Sequence, residues 1–311
     1  MKLLLLFATL PLLYWPHGIE RAPALRQAGI EQICVPPEQA AEWNKAGFKA
    51  TPLSQAELEA RTRLITPRIA PRSGVASPTR APWVDANGWQ FLRHSAGRFY
   101  YDLPPGRAAL AAAEAFAYGA DAVLKTDPAD LAEFGRMLAF LREIPEMNLP
   151  TVADFAVVDD DSSLTGEILN LLARRNLLFR VVAEPSSQFT INIRLGTKEY
   201  PREDAADPNA FALKVRRQLG DDKRSLRIYG SETVICRLTS DGRRARLHLL
   251  NYSGREIEGL RVKLRGAYSQ GAARAFGTDQ MELSDYLMAD GATEFSIPRM
   301  GIYAVVDLMT K

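Results

Sequence analysis

The sequence of 311 residues has few of the side chains that build metal centres or disulfide scaffolds. It contains two cysteines, Cys34 and Cys236, far apart and outside any CxxC pattern, and three scattered histidines. A disulfide framework or a zinc site is therefore not indicated, and both thiols are expected to be buried. The sequence also lacks a G-x-S-x-G elbow and the Walker and G-x-G-x-x-G loops, so neither a hydrolase triad nor a phosphate-binding loop is predicted. We predict no resident cofactor.

Charge of one sign is not in excess, because 39 Lys and Arg residues are balanced by 37 Asp and Glu residues. The net charge of +2 provides no field to steer the protein toward phosphate backbones or anionic lipid, so no nucleic-acid partner is predicted. An apolar fraction of 47% and a charged fraction of 24% are typical of a folded globular chain. This composition argues against extensive disorder and against a protein with many membrane spans.

Long apolar runs are missing except at the N-terminus, where Lys2 precedes the run LLLLFATLPLL at 3–13. The charge-then-apolar order is typical of a secretory signal, and the run is shorter than the about 20 residues of a bilayer-spanning helix. We therefore predict a signal peptide at 1–13, export to the periplasm or the medium, and no integral membrane insertion. No A-x-A-like cleavage site follows, and Tyr14 and Trp15 could instead continue a buried strand, so cleavage stays open.

The first half of the sequence alternates between short strand-like and helix-like patterns. Between residues 10 and 65 the order is β-α-β-α-β-α. After an irregular insert at 66–98, a strand RFYYD, an Ala-rich helix at 108–118 and a buried strand DAVLK follow. Such alternation predicts parallel strands with right-handed crossovers, in an α/β layer or part of a barrel.

Two further regions follow the Pro-containing linker EIPEMNLPT. The first is predicted to contain a strand, an Asp-rich loop, a helix and a second strand. These elements would form a compact α/β unit. After about residue 228 the apolar period changes to two, as in LRVKLRG, which predicts antiparallel strands of a small β-sandwich. Within it, His248 lies opposite Leu247 and Leu249 and is expected on the solvent side.

The order of these parts resembles the multidomain glycoside hydrolases of the β-galactosidase type. In that family a TIM barrel precedes a flavodoxin-like, glutamine-amidotransferase-like module used in oligomerisation, and a small β domain closes the chain. Three segments carry the likeness: AALAAAEAFAYGADAVLKTD, VADFAVVDDDSSLTGEILNLLARRNLLFRVV and RLHLLNYSGREIEGLRVKLRG. The resemblance implies a carbohydrate partner and a homo-oligomer.

The resemblance also implies the fold class, α/β plus all-β. Because a full barrel takes about 250 residues and fewer than 150 precede the linker, the barrel must be incomplete. We predict an abbreviated (β/α) barrel-like domain at 14–145, a flavodoxin-like α/β module at 151–228 and a C-terminal antiparallel β-sandwich at 229–311. The Asn-Glu pair that holds the general acid in the family does not occur in this sequence, so catalysis could be lost.

Glycoside hydrolysis needs two carboxyl groups that flank the scissile bond. Asp102 ends the strand RFYYD, and Lys125 and Asp127 follow the strand DAVL, so all three lie at carboxyl ends of strands, where α/β folds form their sites. We predict Asp102 and Asp127 as catalytic carboxylates, with Lys125 as a substrate contact. The alternative for Asp127 is a helix N-cap.

Aromatic side chains in and after the insert could form a sugar platform, because flat apolar rings match the C–H faces of pyranoses. We predict Trp83, Trp89 and Tyr101 as substrate-binding residues. The alternative is that these rings form the core of the insert, since aromatic side chains are usually buried.

The segment VVDDDSSLTG places three carboxylates between a strand and a helix. Asp159 and Asp161 have the spacing of the nucleophile and the acid/base of a haloacid-dehalogenase-type phosphatase, in which Asp221 and Asp222 would hold magnesium. The alternative is helix capping, for which loops of this kind are commonly rich in Asp and Ser.

Three functions follow from these observations. The first is a glycoside-hydrolase-like, carbohydrate-active protein that is degenerate in catalysis or active. The second is a non-catalytic carbohydrate-binding or assembly subunit, in which another chain completes the shortened barrel. The third is a metal-dependent phosphatase that uses Asp159 and Asp161.

Overall fold

A computed structural model describes residues 10–70 and 82–311. The chain divides into two compact units. Unit 1 comprises Met1–Pro67 and His94–Asn148, and unit 2 comprises Arg68–Arg93 and Leu149–Lys311. Most of the predicted signal peptide, residues 1–9, lies outside the described residues.

The elements are numbered along the chain. The first half contains strands β1 (Leu12–Tyr14), β2 (Gln32–Val35), β3 (Lys49–Pro52), β4 (Thr62–Arg63), β5 (Arg68–Ala70), β6 (Trp83–Asp85), β7 (Arg98–Asp102) and β8 (Asp121–Lys125). Its α-helices are α1 (Ala22–Gln27), α2 (Ala40–Lys45), α3 (Gln55–Glu59), α4 (Gly88–Arg93), α5 (Ala108–Tyr118) and α6 (Leu131–Arg142). Short 3-10 helices lie at Ile19–Arg21, Pro37–Gln39 and Pro128–Asp130.

The described residues of unit 1 form a six-stranded sheet in the order β3-β2-β1-β8-β7-β4, in which every pair is parallel. The parallel strands predicted from the alternating pattern are thus confirmed. In the described part of the chain the sheet is open, with β3 and β4 at its edges. Trp15 directly follows β1 and is fully buried, and Cys34 in β2 is buried, as expected.

Local sequence explains how the helices of unit 1 begin and end. Ser54 opens α3 as a capping box, in which its hydroxyl and the Glu57 carboxylate each accept a backbone N–H. The Ala-rich α5 ends at Gly119, whose φ of 65° is the left-handed conformation that closes many helices. Small side chains let α5 be buried along most of its length, where it contacts β8 and α6.

Unit 2 begins with the antiparallel β5-β6 pair and α4, and continues after the linker. Its α/β part contains β9 (Phe155–Val158), α7 (Ser163–Arg174), β10 (Phe179–Val182), β11 (Asn192–Ile193), α8 (Pro208–Leu219) and 3-10 helices at Arg202–Ala206 and Asp221–Lys223. The strands form a parallel sheet in the order β10-β9-β11. Phe155, Leu169 and Phe211 lie in the apolar core that joins this sheet to α7 and α8.

The remainder of unit 2 is antiparallel. Its strands are β12 (Leu226–Tyr229), β13 (Val234–Ser240), β14 (Arg244–Asn251), β15 (Ile257–Arg265), β16 (Gln270–Ala275), β17 (Thr278–Met281), β18 (Ser284–Ala289), β19 (Ala292–Met300) and β20 (Tyr303–Met309). They form two sheets, β12-β15-β19-β18 and β13-β14-β20-β16-β17, which share one apolar core. Leu260, Val262 and Leu264 are all buried in that core, as the period of two predicts.

His248 corrects one expectation. It lies in β14, on the face of the strand opposite to the core residues Leu247 and Leu249. Its side chain is nevertheless buried and not solvent-exposed. Its Nδ1 lies 2.7 Å from the Tyr303 hydroxyl. Alternation along a strand identifies the face on which a side chain lies, but it does not show whether that face is covered.

Across residues 10–70 and 82–311, none of the helices combines the length and the apolar character needed to cross a membrane.

Candidate functional site

The predicted catalytic residues of unit 1 lie where two neighbouring parallel strands end. In the register of β7 and β8, Asp102 pairs with Lys125, and the Lys125 ammonium is 3.6 Å from an Asp102 carboxylate oxygen. The guanidinium of Arg63 lies 3.2 Å from the other Asp102 oxygen. The Asp102 side chain is 36% exposed, so these ion pairs are worth only about 0–1 kcal/mol each.

Asp127 follows β8 and is the N-cap of the short helix Pro128–Asp130. Its carboxylate accepts the Ala129 backbone N–H at 2.8 Å. The structure therefore brings Asp102 and Lys125 into contact, and it gives the Asp127 carboxylate the capping role that the sequence offered as the alternative.

A third carboxylate at these strand ends was missed in the sequence. Asp130 is buried and accepts the Gly106 backbone N–H at 2.8 Å and the Thr126 hydroxyl at 3.2 Å. It therefore links the loop after β7 to the loop after β8. The only local signal was its position three residues after Asp127, which does not distinguish it from a solvated helix residue.

Tyr101 lies in the interior of unit 1. Its hydroxyl donates to the Glu114 carboxylate at 2.6 Å, and both side chains are fully buried. The Tyr101 ring is therefore part of the core and not an exposed platform for a sugar.

The two predicted tryptophans are in unit 2 and have different surroundings. Trp89 lies in α4 and packs against the α/β core. Trp83 lies in β6, is 45% exposed, and has the Arg174 guanidinium 3.9 Å from its ring centroid. Trp83 thus remains accessible, whereas Trp89 contributes mainly to packing.

The acidic loop between β9 and α7 is held by arginines. Arg93 Nε and Nη2 donate to the two Asp159 oxygens at 2.8 and 2.7 Å. Asp160 accepts hydrogen bonds from Ser162 and Thr165, which together with Arg202 hold the pKa of its carboxyl well below its usual range.

The carboxylates proposed for a phosphatase do not converge in the structure. Asp161 has a φ of 56° and donates its backbone N–H to Asp159 at 3.0 Å. Asp221 accepts two hydrogen bonds from Arg216, which lower the pKa of its carboxyl to about 2. Within the described ranges, no three His, Cys, Asp or Glu side chains are arranged to hold a metal ion.

A cavity of about 280 Å³ opens beside Trp83 in unit 2. Its walls come from β6, the C-terminal end of α7, α8, the short helix Asp221–Lys223 and β12. Arginines are the dominant polar side chains of its lining, and Tyr229, also 45% exposed, adds a second accessible ring. The cavity lining thus combines two accessible aromatic rings with several arginines.

Comparison with solved structures finds proteins of similar fold. The chain is similar to α-L-fucosidase isoenzyme 2 from Paenibacillus thiaminolyticus, with a TM-score of 0.56, 11% identity, and coverage of 94% of this chain and 72% of that one. The chain has a glycoside-hydrolase-like fold. At this identity the likeness extends to the fold alone. No protein-family model and no curated protein matches the sequence.

Two β-galactosidases are more distant from this chain. A GH42 β-galactosidase from G. stearothermophilus has a TM-score of 0.36 and 9% identity, and 75% of this chain covers 52% of it. A cold-adapted β-galactosidase from a Rahnella species has a TM-score of 0.33 and 10% identity, and 91% of this chain covers 61% of it. The chain therefore spans about half to three fifths of these two enzymes, and neither likeness carries an argument here.

Within this glycoside-hydrolase-like fold, the basic cavity is the main feature that the local sequence patterns did not predict. Its arginines come from separate segments, such as LLARRN and VRRQLGDDKRSLRIY. Those runs are visible as local clusters of basic residues, but their convergence on one cavity depends on the packing of α7, α8 and β12.

Proposed function

We propose that this protein is a carbohydrate-binding protein with a glycoside-hydrolase-like fold, and that its sugar site is the cavity beside Trp83. The observation that supports the proposal is the half-exposed indole of Trp83 in the cavity wall. Exposed tryptophan rings offer a flat apolar face for the C–H groups of a sugar ring. The volume of about 280 Å³ lies near the lower end of small-molecule sites, which suits a small saccharide.

The finer architecture forms part of this proposal. The open parallel sheet of unit 1 corresponds to the abbreviated (β/α) barrel-like domain, the β10-β9-β11 layer to the flavodoxin-like module, and the two antiparallel sheets to the terminal sandwich. The likeness to the fucosidase over 94% of this chain supports that layout. We also propose export, on the strength of Lys2 and the apolar residues that follow it. Leu12 and Leu13, the last residues of the predicted signal peptide, belong instead to β1 and pair with its neighbouring strands.

Binding without hydrolysis fits the contacts of the two predicted catalytic carboxylates. Asp102 is engaged by Arg63 and Lys125, and Asp127 caps a helix. Both carboxylates therefore have protein partners in the absence of a substrate. Hydrolysis at this edge remains the second candidate, because Asp102, Lys125 and Asp127 follow two adjacent strands of the parallel sheet, at the end where α/β folds form their sites.

Glycan-array screening followed by calorimetric titration tests the binding proposal. We expect Trp83→Ala to weaken saccharide binding by about tenfold, because the stacking surface is lost. Leu287→Ala, which removes an exposed apolar side chain of β18 away from the cavity lining, serves as the matched control and should bind normally. Equal affinity of wild type and Trp83→Ala would exclude this cavity as the sugar site.

A panel of aryl glycosides tests the second candidate. We expect no turnover by the wild-type protein. Turnover that is retained in Leu287→Ala but lost in Asp102→Asn and in Asp127→Asn would instead establish a hydrolase at the strand ends of unit 1.

A further inference from the structure

The cavity beside Trp83 has a property that binding of a neutral sugar does not require, an excess of positive charge. Among the described residues, its lining contains five arginines and two carboxylates: Arg174, Arg175, Arg216, Arg224 and Arg227, with Asp221 and Glu232. The lining side chains therefore carry three more positive than negative charges.

Nearby acceptors only partly satisfy Arg224 and Arg227. Asp221 accepts two hydrogen bonds from Arg216, at 2.9 and 2.8 Å, and a longer one from Arg224 at 3.4 Å. Arg227 lies 3.7 Å from Asp222, whose side chain is fully exposed, and exposed pairs of this kind contribute little. Asp221 thus serves two guanidinium groups, and Arg224 Nη2 also donates to the Asn176 carbonyl at 3.5 Å.

Two guanidinium groups also have unsatisfied donors. The Arg224 side chain is only 8% exposed, and its Nε, like that of Arg227, is buried with no acceptor among residues 10–70 and 82–311. Burial, and secondarily the positive charge of Arg216, lowers the pKa of Arg224. Burying a guanidinium is unfavourable unless a negative charge lies near it, so an anion in the cavity would stabilise this arrangement through its charge.

We infer, resting on the proposed sugar site, that the cavity binds an acidic saccharide, a sugar whose ring carries a carboxylate or a sulfate. The planar guanidinium fork matches two oxygens of such a group and can bind them in a bidentate manner. Trp83 and Tyr229, each 45% exposed, line the same cavity, and the Arg174 guanidinium lies over one face of the Trp83 ring. A ligand that combines a sugar ring with an anionic group would therefore use both kinds of lining.

Matched pairs of ligands test this inference in the full-length protein. Calorimetric titration would compare methyl glucoside with methyl glucuronide and methyl galactoside with methyl galacturonide, so that each pair differs only at C6. Glucose 6-sulfate and inorganic sulfate complete the series. We expect a uronide or the sulfated sugar to bind at least about tenfold more tightly than its neutral counterpart, because charge-assisted hydrogen bonds form only with the acidic ligand.

Variants then assign the preference to the cavity. Arg227→Gln should weaken binding of the acidic ligand about tenfold more than it weakens binding of the neutral sugar. Arg175→Gln is a second variant, because Arg175 donates to the neutral Asn209 side chain and not to a carboxylate in the described structure. Arg194→Gln is the matched control, since Arg194 is exposed, pairs with Glu184 and lies outside the cavity lining.

Each outcome separates this inference from the proposed function. Equal binding of neutral and acidic sugars, weakened in both cases by Trp83→Ala, would overturn the inference and leave the sugar site standing. Inorganic sulfate that binds as tightly as the acidic sugars would also overturn it, because the sugar ring would then contribute nothing. Absence of binding by every saccharide would overturn the proposed function itself. A preference for uronide over sulfate, or the reverse, would identify the anionic group.

Discussion

Replacing Asp159 with asparagine tests whether its carboxylate stabilises the fold or binds a metal ion. Arg93 makes two hydrogen bonds to Asp159, and its Nη2 also donates to the Ser162 carbonyl at 3.0 Å. The Arg93 and Asp159 side chains are only 8% and 12% exposed. Loss of one partner of such a buried pair costs about 3–5 kcal/mol, because the other charge is left buried. Since Asn keeps the shape and one acceptor, we expect Asp159→Asn to lower the free energy of unfolding by about 3 kcal/mol.

Equilibrium unfolding in urea, without added metal, measures this effect. Asp161→Asn is the matched control, because Asp161 is exposed two residues away and Asn tolerates its φ of 56°. That control should change stability by no more than about 0.5 kcal/mol. A metal-binding role predicts the opposite sign for Asp159→Asn, because removing one of several clustered charges relieves repulsion in the metal-free protein. An unchanged or increased stability of Asp159→Asn would therefore refute the structural interpretation.

Two further predictions concern stability. Burial, and secondarily the nearby arginines, holds the pKa of His248 well below 6.5, so the folded state does not take up the proton that the unfolded state binds as the pH falls below about 6.5. Between pH 7.5 and pH 5.5 the wild type should therefore lose about 1.4 kcal/mol more stability than His248→Gln in urea unfolding, and equal losses would contradict this. In α6, a Cβ at Gly135 would overlap the Ala28 carbonyl oxygen. Gly135→Ala should destabilise the protein by about 1–3 kcal/mol despite better helix propensity, and a higher thermal midpoint would contradict this.

Local patterns predicted the elements because neighbours in sequence largely determine them. The alternation of Leu260, Val262 and Leu264 identified an antiparallel strand, and all three side chains are in the sandwich core. The pair Ser54 and Glu57 identified the start of α3. The apolar period of a strand and the capping of a helix each depend on residues a few positions apart. The local sequence is therefore sufficient to predict these elements.

The candidate site was less predictable because its contacts join distant segments. Arg93 and Asp159 are 66 residues apart, and no local pattern pairs them. Trp83 and Arg174 are also far apart in sequence, yet the guanidinium lies over the indole ring. Trp83 could be named as a site residue from the sequence, but the arginines of the cavity could not, because their convergence depends on how unit 2 packs.

The partners of Asp159 and Asp221 support the proposed anion binding over acid-based catalysis in unit 2. A metal site needs carboxylates that are free to converge, and here Asp159 is bound by Arg93 and Asp221 by Arg216. Arg224, in contrast, shares Asp221 and keeps a buried donor with no acceptor among the described residues. Since Arg93 binds Asp159 and Arg216 binds Asp221, and since the cavity lining has three more positive than negative side chains, these contacts favour the proposed binding of an anion over binding of a cation. A ligand that brings its own anion fits that imbalance, whereas a cation would increase it.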